Sequence, residues 1–128
     1  MTDDARTRGL DRMQEVYGWR PPEIDSAHFA TTVDHLFADI WTRPGLSDRD
    51  RRLLLIGALT AQGRMETIEI QLQGALHNTE FTEEQLREIA LFLCHYVGWP
   101  NGTRLDAAIS TVTQRLSADG EPRMRRLK

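Results

Sequence analysis

Apolar residues recur along this chain at helical spacing, and no run alternates convincingly as a strand would. Leu10, Met13, Val16 and Tyr17 share one face of a segment over 4–17 that Gly18 ends. Pro21-Pro22 then forces an extended stretch. A second helix is predicted over 25–41, capped by Asp25 or Ser26, with the stripe Phe29, Val33, Leu36, Phe37 and Ile40. A third follows the N-cap Ser47, carries Asp48 and Asp50 in its first turn and ends at Gly63. Its apolar residues run nearly all round, which predicts a central, buried helix. The fourth, over 65–78, has the stripe Met65, Ile68, Leu72, Ala75 and Leu76. The fifth opens on a capping box, Thr82 to Gln85, and carries Leu86, Ile89, Ala90, Leu93 and Val97 until Gly98-Trp99-Pro100 stops it. The sixth spans 103–117 with Leu105, Ala108, Ile109, Val112 and Leu116 inward, and a basic tail occupies about 119–128.

The pattern is therefore all-α, six helices in a single domain over 1–128. Helices three and five carry more apolar surface than so small a chain can bury, which predicts contact with another subunit.

Composition narrows the classes. The 128 residues are 40% hydrophobic and 27% charged with a net charge of −3, an ordinary globular balance. A chain of this size buries about two-thirds of its unfolded surface, enough to fold without a disulfide or metal. The slight negative charge and scattered basic residues argue against a nucleic-acid partner. The longest apolar run, Leu53 to Leu59, is too short to span a membrane, and the acidic start, Met1-Thr2-Asp3-Asp4, predicts a cytoplasmic protein. The single Cys94 excludes an internal disulfide and a CxxC pair. Its neighbour His95 points about 100° away on a helix, so Cys94 reads as a core thiol, not a nucleophile.

Two constellations invite a chemical reading. His28, His35, Asp25 and Asp39 fall on one helical face, but such pairs recur by chance, and a solvated face is favoured over a metal site. The run Asp39-Ile40-Trp41-Thr42-Arg43-Pro44-Gly45-Leu46 packs an aromatic and an arginine against a Pro-Gly turn. Arg43 there is either a bidentate carboxylate grip or a helix C-cap beside a packed Trp41, and spacing favours the cap.

With those residues the chain resembles the carboxymuconolactone decarboxylase family. The resemblance continues through Arg51-Arg52-Leu53-Leu54, Ala61-Gln62-Gly63-Arg64, Leu72-Gln73-Gly74-Ala75-Leu76-His77-Asn78, Thr82 to Glu88 and Tyr96-Val97-Gly98-Trp99-Pro100, over about 5–117. It implies a six-helix AhpD-like fold that assembles as a ring-shaped homo-oligomer, commonly a hexamer or trimer. It also implies decarboxylation of a small carboxylated lactone such as γ-carboxymuconolactone, in aromatic catabolism through the β-ketoadipate route. No metal and no organic cofactor is expected.

On that resemblance Asp39, Gln71 and His77 are the candidate catalytic residues. Trp41, Arg43, Arg52, Tyr96 and Trp99 are the candidate substrate-binding ones. Arg43 or Arg52 would anchor a carboxylate, and Gln71 and Tyr96 would hydrogen-bond a lactone carbonyl. Asp39 or His77 would move a proton, and Trp41 and Trp99 would wall out water. Arg51 or Arg52 reads equally as a structural partner of Asp48 or of a neighbouring subunit. The family's usual Glu is here Asp39, and its usual proton-transfer His is here Gln71, which cannot titrate. The related alkylhydroperoxidase branch needs cysteines where this chain has Arg64 and Thr67, which argues against thiol peroxidase chemistry. Two alternatives remain: the same fold acting on a different small cyclic metabolite, and a non-catalytic oligomeric homologue.

Overall fold

A computed structural model describes residues 3–119. The described residues form six α-helices and no strand: α1 (Asp3–Tyr17), α2 (Ala27–Thr31), α3 (Asp48–Gln62), α4 (Met65–His77), α5 (Glu83–Val97) and α6 (Trp99–Asp119). From residue 120 onward the expected basic tail lies outside the described residues. The chain forms two compact units that divide after Arg51, within α3.

In the first unit, α1 ends as its sequence predicts. Gly18 takes φ 85° and donates its N–H to the Gln14 carbonyl at 2.9 Å. The predicted helix over 25–41 is not continuous. Ser26 caps α2 by accepting from the Phe29 N–H at 3.0 Å, and after Thr31 the chain widens into a π-helical stretch, Thr32–Phe37. A 3₁₀ turn, Ile40–Thr42, follows. The wider turns change which residues face inward. Phe29, Val33, Phe37 and Ala38 are buried, whereas Leu36 and Ile40, assigned to the stripe by α-helical spacing, are exposed.

Asp34 is buried instead, gripped by Arg6 of α1 through Nε at 2.7 Å and Nη2 at 3.0 Å. The Arg6 hydrogen bond holds the Asp34 carboxyl below its ordinary value of 3.8. Gly9 lets α1 approach this stretch, because a Cβ there would collide with Val33.

The second unit has one apolar core built from α3, α4, α5 and α6. Ile56, Ile68, Leu72, Leu86, Ala90, Leu105, Ile109 and Val112 are its centre. Thr82 and Gln85 form both bonds of the predicted capping box, at 3.1 and 2.9 Å. Two expectations fail here. Along α3 only Arg52, Ile56 and Thr60 are buried, while Leu53 and Leu54 are exposed, so α3 is an edge helix with a single inward stripe. Trp99-Pro100 also does not lead into a loop. Gly98 ends α5 at φ 99°, and α6 begins at once, because Pro100 in a first helical turn forgoes an N–H that has no helical acceptor. Gly102 is then helical and cannot be enlarged cheaply, since a Cβ would strike Cys94. Cys94 is thus partly buried at the close crossing of α5 and α6.

Candidate functional site

α3 directs Arg52 inward one turn before Ile56, on its only buried stripe. A buried guanidinium needs acceptors, and two elements supply them. Glu80 accepts from Arg52 Nε at 2.8 Å and from Nη2 at 3.3 Å, and Gln71 of α4 accepts from Nη1 at 2.6 Å. Arg52 has no exposed surface, the Glu80 side chain is 9% exposed and Gln71 is 6% exposed.

The turn that follows α4 aims Glu80. Its N–H bonds the Ala75 carbonyl at 2.9 Å, and the Thr79 N–H bonds the Leu76 carbonyl at 3.1 Å. That pair of bonds is a Schellman motif, with Thr79 in the left-handed position at φ 51°. A β-branched residue there is an outlier. The position after it is usually apolar, and here it is the carboxylate that meets Arg52.

Of the residues singled out from sequence in this unit, the structure joins Arg52 to Gln71. His77 lies exposed in the last turn of α4. Tyr96 is exposed against Phe92, with ring centroids 5.1 Å apart, and Trp99 is exposed edge-on to His95 at 5.3 Å. No described hydrogen bond or ring contact joins Tyr96, Trp99 or His77 to Arg52 or Gln71.

The other three candidates belong to the first unit. Trp41 is buried and stacks on Phe37 at 6.0 Å, and Tyr17 meets Phe37 edge-on at 5.5 Å. The Trp41 carbonyl accepts from Arg12, which also pairs with Asp48, and that pairing raises the Arg12 pKa. Asp48 is therefore Arg12's partner, and Arg52 does not use it. Asp39 is exposed and stands 3.9 Å from His35, the closest approach within the predicted His and Asp face. Arg43 is exposed and caps the preceding turn through its backbone N–H, which donates to the Ile40 carbonyl at 3.3 Å, but its side chain does not reach the terminal carbonyls. Arg51 satisfies carbonyls here instead, donating to Leu46 and to Arg43 itself.

Sequence reasoning missed Glu80. The available signal was an arginine at the head of the i, i+4, i+8 stripe Arg52, Ile56, Thr60, a position that demands a buried acceptor.

The neutral carboxamide of Gln71, held through its oxygen, offers N–H donors and no titrating proton. Donors of that kind suit an oxygen that is negative or becoming so.

Comparison with known proteins places this geometry in context. Residues 26–111 match the profile described as the carboxymuconolactone decarboxylase family. The chain is 34% identical over 64 residues to a 4-carboxymuconolactone decarboxylase of Acinetobacter baylyi, covering 50% of this chain and 47% of that protein. It is 34% identical over 62 residues to a nitrosuccinic acid decarboxylase of Metarhizium robertsii, covering 48% and 43%. The match thus spans about half the length of these curated relatives. No solved structure matches significantly.

Proposed function

This chain belongs to the carboxymuconolactone decarboxylase family, and on that footing we propose that it decarboxylates a small carboxylated compound bearing an electron sink, with γ-carboxymuconolactone the first candidate. The observation that carries the reading is the pair of relatives, whose names specify two different substrates and the same reaction. One name specifies a lactone and the other a nitro acid, and both specify a carboxyl group. In such compounds the bond between carbon and carboxylate breaks, carbon dioxide leaves and the electron pair flows into the lactone carbonyl or nitro group. The carbon then takes a proton.

Little else is asked of the protein than to hold the carboxylate, stabilise the resulting negative oxygen and deliver the proton. In this reading Gln71 and Tyr96, both of the second unit, donate to the developing oxyanion. His77 supplies the proton, and the reaction proceeds without metal or cofactor. Its place is cytoplasmic. No helix among the described residues is long and apolar enough to cross a membrane.

The exposed apolar surface favours self-association as part of the same reading. Leu53, Gly57, Glu88, Ile89, Phe92 and Leu93 line a groove of about 490 Å³, and Leu54, Leu91 and Tyr96 are also exposed. A second copy of the chain would bury this surface in a homo-oligomeric ring. Light scattering should give a multiple of the 14.7 kDa chain mass, reduced by Phe92→Glu.

The test of activity is carbon dioxide release from γ-carboxymuconolactone and from nitrosuccinate by the purified protein. Release from either supports the decarboxylase reading, and the faster one identifies the electron sink. A folded protein that releases carbon dioxide from neither would overturn it and favour the non-catalytic alternative.

A further inference from the structure

The bonding of Gln71 is one-sided. Its Oε1 accepts from Arg52 Nη1 at 2.6 Å, and it is 6% exposed. That bond fixes which way the carboxamide points, because a flipped amide would set its N–H groups against a guanidinium that only donates. The Nε2 donors therefore face away from Arg52, and among the described residues nothing accepts from them. Buried amide donors are rarely left unpaired, so a partner absent from the folded chain is called for.

We propose that Glu80 is a positioning residue that acts through Arg52, holding the Gln71 carboxamide so that its N–H donors meet an acceptor oxygen of a small carboxylate ligand. This rests on the substrate class proposed above. Three features support it. The fork between Glu80 and Arg52 occupies Nε and Nη2, the edge with which a guanidinium would grip a substrate carboxylate, so Arg52 orients a neighbour and does not clamp the ligand. Glu80 is itself fixed by backbone bonds of the turn after α4, a turn that keeps Thr79 at φ 51°. The charges of Arg52 and Glu80 compensate one another, so the ligand meets the neutral donors of a carboxamide.

The experiment follows the side-chain amides of the full chain by ¹H–¹⁵N NMR while succinate, a dicarboxylate without an electron sink, is added. The Gln71 pair is identified by its loss in Gln71→Glu. That variant is nearly isosteric and still accepts from Arg52, but it presents oxygen where the donors were. If Gln71 served only to satisfy Arg52, Gln71→Glu would bind succinate as the wild type does. The expected result is a saturable shift of the Gln71 pair, with affinity reduced by about tenfold or more in Gln71→Glu, the loss of a charge-assisted hydrogen bond. Glu80→Gln, with its fold checked from the backbone spectrum, should reduce affinity in the same direction and broaden the Gln71 pair. An unmoved Gln71 pair, or unchanged affinity in Gln71→Glu, would overturn the proposal. Carbon dioxide release on the same samples separates the two claims. Succinate binding through Gln71 without turnover refutes the decarboxylase reading alone, and turnover with Gln71 unmoved refutes this one alone.

Discussion

Arg6 with Asp34 in the first unit and Arg52 with Glu80 in the second make the same fork, Nε to one carboxylate oxygen and Nη2 to the other. Their surroundings differ. The Arg6 side chain is 38% exposed, whereas Arg52 is fully buried. Water can still reach Arg6, so its fork works as a clasp between α1 and the π-helical stretch. Arg52 has given up all its hydration, and buried ion pairs seldom gain stability over a well-packed apolar alternative. The buried fork thus needs another reason to exist. Its third member, Gln71, supplies one.

Breaking the buried fork should have the largest effect. Glu80→Ala leaves a buried cation without its carboxylate and should destabilise the protein by about 3–5 kcal/mol, read from urea unfolding. The double variant Arg52→Met with Glu80→Leu sharpens the contrast. It should recover most of that stability, within about 1–2 kcal/mol of wild type, while losing the orientation of Gln71 and with it the proposed turnover.

Arg6→Ala should cost less than Glu80→Ala, because water reaches the Arg6 side of its fork, whereas the Arg52 side is wholly buried. Its effect is also visible in pH. The Asp34 carboxyl titrates below its ordinary value when folded. Its contribution is therefore complete above about pH 4 and is lost as pH falls through the lowered value. Stability of the wild type should drop more steeply than that of Arg6→Ala as acid is added below about pH 4, and parallel acid limbs would show that the fork carries no linkage. The smallest effect belongs to the turn that aims Glu80. Thr79→Gly removes a strained backbone and should stabilise by about 0.5–1 kcal/mol, with melting temperature as the readout.

Much of the helical order was legible. Ser26, Ser47 and the Thr82 and Gln85 box cap helices through bonds that lie within a few residues, and Gly18 and Gly98 end helices at positive φ. The chain over 32–37 was not legible, because a π-helical turn leaves no periodic signature when hydrophobic residues follow at three and four. The burial of α3 was overstated for the opposite reason. Leu53 and Leu54 carry the pattern of an interior helix, but nothing in one described chain covers them.

At the candidate site, the family resemblance led to Arg52 and Gln71 as separate candidates, and the hydrogen bond that joins them was not foreseen. Glu80 stands 28 positions from Arg52 and reaches it only through the turn after α4. That turn lacks the glycine that would have marked it, because Thr79 takes the left-handed position.

The most direct test compares carbon dioxide release from γ-carboxymuconolactone and nitrosuccinate by the wild type and by Gln71→Glu, both confirmed folded. The account predicts release by the wild type from at least one of them and a loss of about tenfold or more in the variant, the scale expected when a donor to a developing oxyanion is removed. Equal release by both proteins would contradict the role of Gln71, and no release by the wild type would contradict the decarboxylase reading itself.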